Sequence, residues 1–98
     1  MKIVVFCNAG MSSGLIVNKM KHAAEPGDEV VAFQSSKMDE ELPHADVVLL
    51  SPALRFMLKT TQQKCEKYGI PCDIIDMRAY GLADGAKAYK QAKAMAKK

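Results

Sequence analysis

The sequence predicts an α/β fold, a parallel sheet covered by helices on both faces, and three observations lead there. Short, nearly continuous apolar runs rich in β-branched residues recur along the chain, the pattern of strands buried on both sides. Segments of helical apolar period lie between them, and Pro and Gly mark the joints. Strands alternating with helices make right-handed crossovers, and such crossovers build parallel sheets.

The strands read as "KIVVF" (2–6), "EVVAFQ" (29–34), "ADVVLL" (45–50) and "CDIID" (72–76). Four parallel strands are most simply ordered 2-1-3-4, the flavodoxin-like arrangement, which opens a crevice beside strand 1 at the carboxyl ends of the strands. Ile16, Met20 and Ala23 recur at helical spacing, as do Leu54, Met57, Leu58, Thr61 and Cys65, so each set predicts a helix with one buried stripe. "EPGDE" (25–29), Pro52 and "YGIP" (68–71) bound these helices, and Pro52 falls where a first helical turn tolerates proline. A last helix is expected from about Asp84 to Ala96. "SSKMDEELPH" (35–44) shows no clear period and leaves a short helix and an irregular loop equally open.

The chain of 98 residues suits one domain spanning 1–98. With 49% hydrophobic, 26% charged and 6% aromatic residues, its composition is that of a globular protein with an aliphatic, Met-rich core. The formal charge of +3 comes largely from Lys87, Lys90, Lys93, Lys97 and Lys98, a solvated lysine face rather than a nucleic-acid surface. No apolar run approaches the roughly 20 residues of a membrane span, and none follows Lys2 for long enough to be a signal-peptide core. A cytoplasmic protein without membrane insertion is expected. Cys7, Cys65 and Cys72 form no CxxC pair, which suits a reducing compartment.

Cys7 ends the first strand, and "NAGMSSG" leads from it into a helix. A strand-to-helix loop points backbone N–H groups inward, and the helix dipole adds about half a positive charge there. Gly10 and Gly14 allow close backbone approach, and Ser12 and Ser13 supply hydroxyls or cap the helix. The same field acidifies a thiol and makes it a better nucleophile. An acidic thiol in a phosphate-loop-like anion nest is suited to carrying a phosphoryl group. The plainer reading is a buried cysteine that ends a strand, with a glycine-serine turn behind it.

Several patterns are absent. GxxxxGK[ST] and GxGxxG do not occur, so nothing suggests ATP or a dinucleotide. The C-x5-R loop of low-molecular-weight tyrosine phosphatases is missing its arginine: the sixth residue after Cys7 is Ser13. No Arg or Lys lies between Cys7 and Val17 to stabilise attack on a phosphate ester, and no Asp or Glu there could activate water. A phosphocysteine at Cys7 is therefore expected to transfer its group rather than hydrolyse quickly.

"FCNAGMSSGLIVNKM", "ADVVLLSPALRFML" and "YGLADGAKAYKQA" together resemble the IIB component of bacterial sugar phosphotransferase systems, lactose/cellobiose/chitobiose class, almost end to end. That resemblance implies a phosphoryl carrier with no cofactor and no metal. Cys7 would take a phosphoryl group from a phosphohistidine of the IIA protein and pass it to a sugar held by the membrane IIC transporter, a β-linked disaccharide such as cellobiose, chitobiose or lactose. Asn8, Ala9, Gly10, Met11, Ser12 and Ser13 would wrap the phosphate, mainly through backbone donors. The family often has C-x-x-G-M-S-T-S, whereas Ser13 and Gly14 stand here in place of Thr and the second Ser. Ser51 stands where glycine is common, a change expected to be mild.

The remaining candidates have ordinary readings beside functional ones. Cys65 and Cys72 read as core thiols, and His22 and His44 as single surface or loop histidines. Met11 either plugs the core or faces a partner protein. Pro52, Tyr80 and Asp84 belong to loops near the carboxyl ends of the strands and serve either turn and cap chemistry or a docking rim. Lys19, Lys21, Lys37 and Arg55 read as solvated charges without phosphate contact. Two alternatives to a phosphoryl carrier remain: a phosphatase-like enzyme, and a non-catalytic regulatory domain that only binds an anion.

Overall fold

A computed structural model of the chain describes residues 1–7 and 12–96, the side chains of 12–14 excepted. Its sheet has four parallel strands in the order β2-β1-β3-β4: β1 (Lys2–Cys7), β2 (Glu29–Gln34), β3 (Val47–Leu50) and β4 (Cys72–Ile74). This is the predicted topology.

β1 is central because it pairs on both sides, with Ile3 between Val30 and Val47 and Phe6 between Phe33 and Leu50. Successive side chains point to opposite faces, so its unbroken apolar run feeds two separate layers. Ile3 and Val5 join Val47 and Leu49 under Ile16, Val17 and Met20 of α1 (Ser12–Ala23) and Ala88, Tyr89 and Ala92 of α5 (Gly85–Ala96). Val4 and Phe6 join Val48 and Leu50 on the other face, covered by Met38, Leu42, Leu54 and Cys65. Each fully buried Val, Ile, Leu or Phe contributes about 1.5–3 kcal/mol.

The predicted boundaries shift where side chains intervene. β3 starts at Val47, because Asp46 binds β1 from outside the ladder: its N–H donates to Lys2 O at 2.8 Å and its Oδ2 accepts from Lys2 N–H at 2.7 Å. β4 stops at Ile74 because Asp76 turns the chain into a helix absent from the sequence reading, α4 (Met77–Gly81), accepting Arg78 N–H on Oδ1 at 2.8 Å as its N-cap. The segment 35–44 holds the short helix α2 (Met38–Glu41) between 3-10 turns at Ser35–Lys37 and Leu42–His44, with Met38 and Leu42 as its buried anchors. The helix predicted from Leu54 is a 3-10 stretch over Pro52–Met57 that passes into α3 (Leu58–Glu66). Gly69 ends it with φ +67, a left-handed conformation that glycine adopts without strain, and Ile70 N–H closes back on Cys65 O at 3.1 Å.

Candidate functional site at the carboxyl end of β1

Cys7 is the last residue of β1, opposite Gln34 of β2, and only 9% exposed. Its thiol lies 3.7 Å from Phe33 O, a weak S–H donation. Strand alternation places it on the Ile3 and Val5 face, the side covered by α1 and α5. α1 begins at Ser12 with no acidic side chain in its first turn, so no carboxylate in that turn opposes negative charge at this end of the sheet.

Asn8, Ala9, Gly10 and Met11 lie outside the described residues, so the expectations placed on them, including the two readings of Met11, are neither met nor overturned. Ser12 and Ser13 open α1, and their side chains also lie outside the described part.

Next to Cys7, across the β1–β3 pair, stands Ser51. Its N–H donates to Phe6 O at 3.0 Å, one step beyond the Phe6–Leu50 pair, and the residue is 1% exposed. It occupies the N-cap position of the Pro52–Met57 turn, yet makes no side-chain cap hydrogen bond. The sequence reading treated Ser51 as a mild replacement of glycine. A signal was nonetheless visible there: a serine directly after a fully apolar strand.

Of the three proposed rim residues, Pro52 follows β3 and Tyr80 lies on α4 just after β4, whereas Asp84 lies beside Lys19, His22 and Ala23 in the second half of α1. Pro52 is half-buried at the start of the 3-10 stretch. Tyr80 is half-buried on α4 against the layer under α1 and α5. Asp84 is exposed, and its Oδ1 accepts Lys87 N–H at 3.1 Å, so its cap role is evident. Leu15, Phe56 and Met77 are exposed apolar side chains on the elements that start from this end, and Leu82 follows α4; Leu82 at 77% and Phe56 at 76% are the most exposed of the four. The sequence reading did not single out these four, because their periodic neighbours read as core.

The other candidates stand apart from Cys7. Cys65 and Cys72 are free, buried thiols of the opposite layer, and the Cys72 thiol is pushed far up by its hydrogen bond with Cys65 and by burial. His22, His44, Lys19, Lys21, Lys37 and Arg55 are all exposed. Among the described residues, no three His, Cys, Asp or Glu side chains are grouped to hold a metal ion, and no helix is long and apolar enough to cross a membrane.

Residues 2–91 match the family described as the lactose/cellobiose-specific IIB subunit of the sugar phosphotransferase system. The chain belongs to that family. The oligo-β-mannoside-specific IIB component of Bacillus subtilis is 43% identical to this IIB chain over 94 residues, covering 93% of it and 91% of the relative. The cellobiose-specific component of Lactococcus lactis is 38% identical over 98 residues, covering 92% and 91%. The galactose-specific component of the same species is 39% identical with the same coverage. Among solved structures, the cellobiose-specific IIB protein of Borrelia burgdorferi superposes with a TM-score of 0.79 at 30% identity, over 99% of this chain and 92% of that one. The lactose-specific IIB domain of Streptococcus pneumoniae reaches 0.84 at 19% identity, over 97% and 96%, which establishes shared fold. IIB components act in sugar phosphotransferase systems alongside IIA and IIC components, so a phosphotransferase role follows for this chain.

Proposed function

We propose that this IIB chain, as one domain over 1–98, carries a phosphoryl group on Cys7 between a cytoplasmic phosphohistidine-bearing IIA protein and a sugar bound by the membrane IIC transporter. The observation that carries the reading is the placement of Cys7: it closes the central strand at the carboxyl edge of the sheet, immediately before the segment that leads into α1. In the first step the P–N bond to the histidine breaks and a P–S bond to Cys7 forms, and the thiol proton ends on the departing imidazole. In the second step a sugar hydroxyl attacks phosphorus, the P–S bond breaks, and the thiol regains a proton. Positioning and oriented N–H groups are what such transfers need most.

Asn8, Ala9, Gly10, Met11, Ser12 and Ser13 form the phosphate loop in this proposal, and Pro52, Tyr80 and Asp84 the docking rim. The sugar is a β-linked glycoside, in keeping with the oligo-β-mannoside and cellobiose specificities named for relatives. The absence of arginine between Cys7 and Val17 speaks against a phosphatase, whose ester cleavage needs that charge.

Incubation with phosphoenolpyruvate, enzyme I, the histidine carrier and a lactose/cellobiose-class IIA tests the proposal by intact mass and peptide mapping. One phosphoryl group on the Cys7 peptide, absent in Cys7→Ser, is the expected result. If an active donor set leaves Cys7 unmodified while phosphate ions still bind, the chain is an anion-binding regulatory domain instead.

A further inference from the structure

We infer that Ser51 belongs to the phosphoryl site, its hydroxyl donating a hydrogen bond to an oxygen of the phosphoryl group on Cys7. The inference rests on the phosphocysteine reading above and adds a side chain from a different strand.

Register places Ser51 beside Cys7. Phe6 pairs with Leu50, and the Ser51 N–H continues that ladder to Phe6 O at 3.0 Å, so the next residues along both strands are neighbours. Adjacent strands lie about 4.8 Å apart, within reach of a group attached to the sulfur. Alternation gives them a common face. Ile3 and Val5 of β1 and Val47 and Leu49 of β3 fill one layer, and two residues further along each strand come Cys7 and Ser51. Ser51 keeps an extended backbone, φ −64 and ψ 152, so the alternation persists through it.

The hydroxyl is also not spent on the cap. A serine at an N-cap ordinarily accepts from an N–H of the first turn. Here Leu54 N–H is taken by the Ser51 backbone carbonyl at 2.9 Å, and the side chain makes no cap bond. Ser51 and Thr61 are the two buried polar residues among those described, and Thr61 Oγ1 is spent inside the opposite layer, donating to Met38 Sδ at 3.5 Å. A phosphoryl oxygen on Cys7 is an acceptor for this donor, and a hydrogen bond to a charged oxygen is of the stronger kind.

Ser51→Ala, Ser51→Gly and Ser51→Thr test this with the full chain and the donor system above. Two quantities are read: the rate of Cys7 phosphorylation and the 31P resonance of the S-phosphoryl group. Ser51→Ala and Ser51→Gly are expected to melt near the parent temperature, to accept phosphate about tenfold more slowly, below the cost of removing one fully preorganised donor, and to shift the resonance. Ser51→Thr should recover both rate and shift; if it does not fold, the resonance of Ser51→Ala decides alone. An unchanged rate and resonance in Ser51→Ala overturns the inference and leaves the Cys7 reading intact. Parent protein that takes no phosphate from an active donor overturns both.

Discussion

Asp28 shows how single residues tie this sheet to its last helix. Its carboxylate accepts from Tyr89 Oη and, at 2.9 Å, from Lys93 Nζ, while Tyr89 Oη accepts Glu25 N–H at 3.0 Å. The Tyr89 hydrogen bond first, then Lys93, holds the Asp28 carboxyl well below the usual carboxylate range. A group whose pKa is depressed by folding stabilises the fold fully above its unfolded value, about 3.9, and loses that contribution as pH falls toward the folded value. Asp28→Asn is therefore expected to melt lower than the parent at neutral pH, with the gap closing below about pH 4; thermal melts by circular dichroism across that range check it. Tyr89→Phe should lower the melting temperature in the same way, since Asp28 and Glu25 N–H both lose a partner. A gap independent of pH in Asp28→Asn would mean that the carboxylate does not act through its charge.

Among the elements, α1 and α5 meet where there is no room for a side chain. A Cβ built on Gly85 would stand 2.3 Å from the Lys19 carbonyl carbon and 2.4 Å from Met20 N, so the start of α5 lies directly on the α1 backbone. Backbone atoms cannot swing aside as a side-chain tip does. Gly85→Ala is expected to cost about 1–3 kcal/mol as the helices are forced apart, which lowers the melting temperature by about 4–8 °C per kcal/mol in a domain of this size. Chemical denaturation with an unchanged m-value checks that the loss is one of native-state packing. The final helix itself was legible in the sequence. The need for glycine at its first residue was not, because that need arises only when another helix crosses there.

For the whole molecule, the proposed function gathers its reacting groups at one end of the sheet. β1 delivers Cys7, β3 delivers Ser51 and then Phe56, and β4 leads into Met77, while Leu82 lies just before α5. Under the proposed function the exposed apolar side chains at this end, Phe56 first among them, meet the phosphorylated IIA protein. Phe56→Ser is expected to weaken the apparent affinity for that donor about tenfold, or about 1.4 kcal/mol, without altering the melting temperature; phosphorylation rates measured against IIA concentration check it. Unaltered saturation behaviour would move the docking surface away from Phe56.

The order of the four strands, the helices α1, α3 and α5, the core thiols Cys65 and Cys72, and Cys7 as the end of β1 were determined by the sequence alone, because periodicity and punctuation are local properties of the chain. Family membership was legible for the same reason, carried by short motifs whose spacing does not depend on the fold. Only the tertiary structure decided that Ser51 neighbours Cys7, that Asp28 serves Tyr89 and Lys93, that Gly85 rests on Lys19 and Met20, and that Asp76 ends β4 in favour of α4. The first three join distant residues through strand register or helix packing, and register is set by pairing across the sheet rather than by the residues on either side in the chain, while Asp76 caps α4 locally and is held by α5, its N–H donating to Gln91 Oε1 at 2.8 Å.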